Sequence, residues 1–90
     1  MLQTDLKSER IRSPLKAFVI QQLETRGTPD ILDDASLVDA GVIDSLGIFQ
    51  LIAFLEDTFS VHISDNEIVL SNFETIDATT RFVLAKQGAA

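Results

Sequence analysis

Apolar residues recur along this chain at the three- and four-residue spacing of helices rather than at the alternation of strands. The opening dozen residues, through Arg12, are largely polar, with Leu6 and Ile11 scattered among them. Ser13-Pro14 offers a helix start, with Ser as N-cap and Pro at the first helical position. Leu15, Phe18, Val19 and Leu23 follow at helical spacing, Ile20 lies beside them, and Gly27 closes the run. A start near Ser8 with a bend at Pro14 is the alternative; the later start is preferred.

Residues 28–44 form a long connection. Pro29, Asp30, Asp33, Asp34 and Gly41 interrupt any periodicity, while Ile31, Leu32, Leu37 and Val42 supply apolar anchors. An ordered, packed loop is expected, because structureless loops of this length are uncommon in small domains. A second helix should run from Asp44 or Ser45 to Phe59, with Asp44 as N-cap. At 100° per residue Ile48, Ile52, Leu55 and Phe59 share a stripe flanked by Leu51 and Phe49, and polar residues are few. This is the central helix, with apolar surface left over for a partner.

Ser64 and Glu67 match a capping box, so a short helix is expected over the Ile68-Val69-Leu70 run. Thr75 is the expected N-cap of a last helix, in which Ile76, Thr80 and Val83 align with Phe82 alongside. Val61-His62-Ile63 is the one strand-like stretch. The result is an all-α bundle of three main helices plus one short one. Its expected organisation is a flexible lead-in over 1–12, one domain over 13–87 and a loose tail over 88–90.

Charge and composition narrow the function. Ninety residues, almost half hydrophobic, suffice for one compact domain and are too apolar for a disordered tail. With no cysteine and one histidine, His62, neither a disulfide nor a metal site is expected, and the chain is poorly equipped for catalysis. Any thioester chemistry would need a sulfur from an added group. A net charge of −7 argues against nucleic acid and suits either partners with basic patches or simple solubility. No apolar run is long enough to span a membrane, and the N-terminus lacks the pattern of a signal peptide. A cytoplasmic monomer is expected.

Chemistry concentrates at Gly41-Val42-Ile43-Asp44-Ser45-Leu46, where the loop meets the central helix. A serine hydroxyl at a helix N-terminus faces unpaired N–H groups and the positive end of the dipole, a favourable place for a phosphate. Asp44 can cap the helix and also help bind a metal that accompanies phosphate transfer. Equally, Asp-Ser before an apolar run is an ordinary helix start. His62 reads as a surface residue, and Asp30, Asp33, Asp34 and Asp39 read as solvated charge.

Over Ser13 to Gln87 the sequence resembles the acyl carrier protein family. Leu37, Gly41 and Asp44-Ser45-Leu46 match the pattern around that family's modified serine. Leu55-Glu56-Asp57-Thr58-Phe59 resembles the end of its second helix, and Ile63-Ser64-Asp65 and Phe82-Val83 fall at its third and fourth helices. The resemblance implies an acyl-carrier-like four-helix bundle that is not an enzyme. It implies 4′-phosphopantetheine attached to Ser45 by a phosphopantetheinyl transferase, with Asp44 and Leu46 assisting. Leu46, Gln50, Ala53, Glu56 and Asp57 would form the partner-binding side, and Phe49, Ile52, Phe54 and Leu70 an acyl pocket. Loading ligases or transferases and downstream synthase enzymes would be the further partners.

Two departures refine the expectation. Gly47 and Gln50 stand where carriers of the primary fatty-acid pathway usually have acidic residues, and Val42-Ile43 precede the motif where those carriers have a small residue. The segment looks closer to D-alanyl, peptidyl and specialised carriers. The intact Met1 start favours a free-standing protein. A helical interaction module without a prosthetic group is the alternative from another class.

Overall fold

Ile11, Leu15, Val19 and Leu23 lie four residues apart on one helix, α1 (Leu6–Glu24), and all four are buried. The computed structural model describes residues 6–24 and 31–88. The remaining helices are α2 (Gly47–Phe59), α3 (Leu70–Phe73) and α4 (Ile76–Gly88), with a 3-10 turn over Asp65–Glu67. No strand occurs among the described residues, and no helix there is long and apolar enough to cross a membrane. The chain is an all-α, four-helix fold.

Helix α1 corrects the expected start at Ser13. It continues through Pro14 and begins at Leu6, so residues 6–12 are helical and not a lead-in; residues 1–5 lie outside the described residues. An interior proline costs about 3 kcal/mol. Burying Ile11 returns about 2 kcal/mol of that. Arg12 adds ion pairs to Asp77 (2.9 Å) and Asp33 (3.1 Å), tying this first stretch of helix to α4 and to the loop. The expected stop at Gly27 lies outside the described residues, as do Pro29 and Asp30.

The connection into α2 is packed, as its apolar anchors suggested. Leu37 donates its N–H to the Glu74 carbonyl (2.8 Å) and accepts from Val42 (2.9 Å) and Ile43 (3.2 Å). Gly41, at φ 84°, makes the reversal that brings Val42 back. Ile31, Leu37 and Val42 are buried; Leu32, expected as an anchor, is instead 73% exposed.

Three residues of α2, Leu51, Ile52 and Leu55, enter the core, and Phe54 stacks on Phe18 of α1 with centroids 4.4 Å apart. Ser60 ends the helix in the left-handed region. The strand-like stretch that follows forms neither strand nor helix. Its Ile63 N–H is taken by the Glu56 carboxylate at 2.9 Å, and His62 points into solvent.

The capping box forms, but the single short helix expected after it does not. Glu67 accepts from the Ser64 N–H (3.0 Å) and pairs with Lys86 of α4 (2.8 Å), and only a 3-10 turn results. Val69 then runs extended before α3 begins at Leu70. Two adjacent β-branched residues, Ile68 and Val69, favour this break. Thr75 caps α4 as expected, accepting the Ala78 N–H at 2.9 Å. Ile76, Thr80 and Val83 are buried, and Phe82 meets the buried Phe73 edge-on at 5.2 Å. Helix α4 packs against α1 and α3. Its last residue, Gly88, had been assigned to the tail; residues 89–90 are outside the described set.

Candidate functional site

Asp44 organises the start of α2. Its Oδ1 accepts the N–H groups of Leu46 (3.1 Å) and Gly47 (2.6 Å), and its carbonyl accepts from Ile48 (3.1 Å). These are the bonds of an N-cap, so the first turn is closed from Asp44 although regular helix begins at Gly47. Ser45 is thereby the first residue inside the turn, and it is exposed.

This refines the electrostatic expectation. Two of the N–H groups that a phosphate could have used are already held by Asp44. A phosphodiester on Ser45 would be held by its covalent bond and surrounded by water, with the helix dipole as a background field.

Gly47 has a specific reason to be glycine. A Cβ there would overlap the Val42 carbonyl oxygen and approach Asp44 Oδ1 to 3.0 Å. The loop crosses the first turn so closely that no side chain fits.

Beside Ser45 lies an apolar cleft of about 190 Å³. Ile43 and Ile48 contribute one side of it, Ile68, Val69 and Leu70 another, with Phe73 beneath and Asp44 as its charged member. Leu46 and Phe49, 65% and 63% exposed, stand on the same end of α2. Among the described residues no group of three His, Cys, Asp or Glu side chains is placed to hold a metal ion.

The family pattern described as the phosphopantetheine attachment site matches residues 14–83. The chain belongs to the phosphopantetheine carrier family. It bears covalently attached 4′-phosphopantetheine, and it is a carrier and not an enzyme. Among its relatives is a D-alanyl carrier protein of Streptococcus sanguinis, 36% identical over 63 residues, which cover 68% of this chain and 80% of the relative. An acyl carrier protein of Borreliella burgdorferi is 28% identical over 83 residues, 92% of this chain and the whole of the relative. Carriers of this kind work with transferases and synthases.

On this carrier, Leu46, Gln50, Ala53 and Asp57 recur at one helical stripe, and all are exposed. Glu56 departs from that set, because its carboxylate is committed to the Ile63 N–H. Of the four residues expected to form an acyl pocket, one lines this cleft. Leu70 lines the cleft, Phe49 is exposed, Ile52 is buried, and Phe54 packs between Phe18 and Phe59. Ile43, Ile48, Ile68, Val69 and Phe73, none of them selected from the sequence as pocket residues, make up the rest of the cleft's apolar lining. The adjacent β-branched pair Ile68-Val69 was the available signal. It turns off the helix and toward the loop.

Proposed function

We propose that Ser45 is the residue that carries the phosphopantetheine arm, and that the carrier serves a specialised acyl or aminoacyl pathway. The observation that carries the first part is the exposure of Ser45 inside a turn already closed by Asp44. A transferase can approach the hydroxyl without unwinding helix, and Asp44 is the neighbouring carboxylate able to contribute to a metal in that complex. Once attached, the arm supplies the thiol that holds cargo as a thioester. Cytoplasmic location and a monomeric state are part of the same reading.

Support for a specialised pathway comes from the top of α2, which carries Gly47, Phe49 and Gln50 and no charge between Asp44 and Glu56. Such a surface offers little to a basic partner and more to an apolar one. The D-alanyl carrier relative favours an aminoacyl or short acyl load, delivered by an adenylating ligase.

Intact mass after incubation with coenzyme A, Mg²⁺ and a broad-specificity phosphopantetheinyl transferase tests the attachment. One added phosphopantetheine on the native chain and none on a folded Ser45→Ala variant is the expected result. Addition to Ser45→Ala, or none to either, overturns it. Incubating the modified protein with a panel of acyl and aminoacyl ligases then reads the load. Efficient use by a primary fatty-acid ketosynthase or malonyl transferase would sink the specialised assignment.

A further inference from the structure

The apolar cleft adjoins the attachment residue, and its size and position restrict what can fill it. Asp44 forms part of the lining and Ser45 is the next residue, so one Cα–Cα step of about 3.8 Å separates the cleft's lining from the attachment point. The cleft measures about 190 Å³. A cavity of about 150 Å³ holds a benzene-sized molecule, so there is room for one compact group of roughly six carbons. A long acyl chain exceeds that volume. The arm itself contains a group that fits. One methylene beyond its phosphoester oxygen is a quaternary carbon bearing two methyl groups, compact, apolar and only a few bonds from the serine oxygen. The cargo, by contrast, lies beyond both amides and the sulfur, and would have to double back to arrive here.

We propose that this cleft seats the geminal-dimethyl portion of the carrier's own arm, with Ile43, Ile48, Val69 and Leu70 closing on it. The inference rests on Ser45 being the attachment residue. It makes the root of the arm a docked element. The polar remainder of the arm, with its thiol, extends away from the cleft. Asp44 at the rim leaves the phosphate outside, because two like charges gain nothing by closer approach. Leu46 and Phe49 are not part of the cleft lining and stay available to a partner while the arm is seated.

The test compares unmodified, arm-bearing and acylated protein by NMR, after mass spectrometry has confirmed each state. Expected are contacts between the arm's geminal methyl protons and the methyls of Ile48 and Leu70. Shift changes at Ile43, Ile48, Val69 and Leu70 should appear on arm attachment and change little on acylation. Leu70→Ser, at a position 56% exposed and so tolerant of change, should erase those contacts while leaving the mass gain intact. Changes confined to Ser45 and its neighbours would overturn the proposal. So would changes that appear only on acylation and grow with chain length, which would assign the cleft to cargo. Absence of any mass gain would overturn the attachment assignment itself, and with it this one.

Discussion

The carbonyl oxygen of Val42 occupies the space that a side chain at position 47 would need. Gly47 is therefore the point where the long loop and α2 touch, and the absence of an acidic residue there has a steric cause as well as an electrostatic consequence. Alanine normally favours a helix over glycine by up to about 1 kcal/mol. Here the opposing atom is backbone and cannot rotate away. Gly47→Ala is expected to destabilise by about 1–3 kcal/mol, a fall in Tm of roughly 4–8 °C for each kcal/mol. Gly47→Glu should be at least as costly. Thermal unfolding of both variants checks this, and a more stable Gly47→Ala protein would contradict the geometry.

Asp44 is assigned two separable tasks, capping α2 and assisting modification of Ser45. Asparagine keeps a capping oxygen and loses the charge, whereas alanine loses both. Asp44→Asn should stay within about 0.5 kcal/mol of the native protein, and Asp44→Ala should lose about 1 kcal/mol. Both variants should be modified at least about tenfold more slowly, the equivalent of about 1.5 kcal/mol of charged interaction. Urea midpoints and modification rates measured side by side separate the tasks. An Asp44→Asn protein modified at the native rate would leave the carboxylate with capping alone.

These local devices show where the sequence was readable. Asp44, Ser64 and Thr75 were all identifiable as caps, because a cap depends on residues within one turn. The apolar stripe of α1 was visible too, but its start was misplaced. Pro14 is a strong local signal, and what overrides it is distant: the burial of Ile11 and the pairing of Arg12 with Asp33 and Asp77. The same limit applied to the pocket. Phe54 faces Phe18 and not the cleft, and helical spacing within α2 cannot say which neighbour an aromatic ring will meet. The turn that presents Ser45 was legible from its motif; the walls of the cleft beside it depended on where the segment after Glu67 leaves its helix.

Glu67 gives the fold a dependence on pH. Its hydrogen bonds to Lys86 and to the Ser64 N–H and hydroxyl lower its pKa from 4.5 to about 2. A carboxylate whose folded pKa is lowered stabilises the folded state fully above its unfolded value. That contribution is lost as pH falls from 4.5 toward 2. Glu67 anchors the turn that leads into the cleft wall, so acid should loosen Ile68 and Val69 early. Glu67→Gln should be less stable than the native protein near neutral pH, and the gap should narrow below pH 4.5 and close only at about pH 2 and below. Urea midpoints across that range supply the check. A constant gap between the two proteins from neutral to acid would show that the charge of Glu67 is not what matters.

Phe49 is the most informative surface position on α2. It is 63% exposed, carries a large apolar side chain, and lies on the end of the helix that bears Ser45. Exposed aromatic residues with no role in the core are typical anchors of binding, where truncation costs about 2 kcal/mol or more. Removing one has little effect on folding, usually within about 0.5 kcal/mol. Phe49→Ala should therefore unfold at the native urea midpoint. Its modification by a transferase, or its loading by a cognate ligase, should show a KM raised by about tenfold or more, with kcat little changed. Gln50→Glu, which adds a charge on the same end of the helix, should improve recognition by partners with basic surfaces and leave an apolar cognate partner weakened. If Phe49→Ala changed nothing in either assay while Gln50→Glu strengthened every partner, docking at this end of α2 would be electrostatic after all, and the specialised character assigned to the carrier would lose its structural basis.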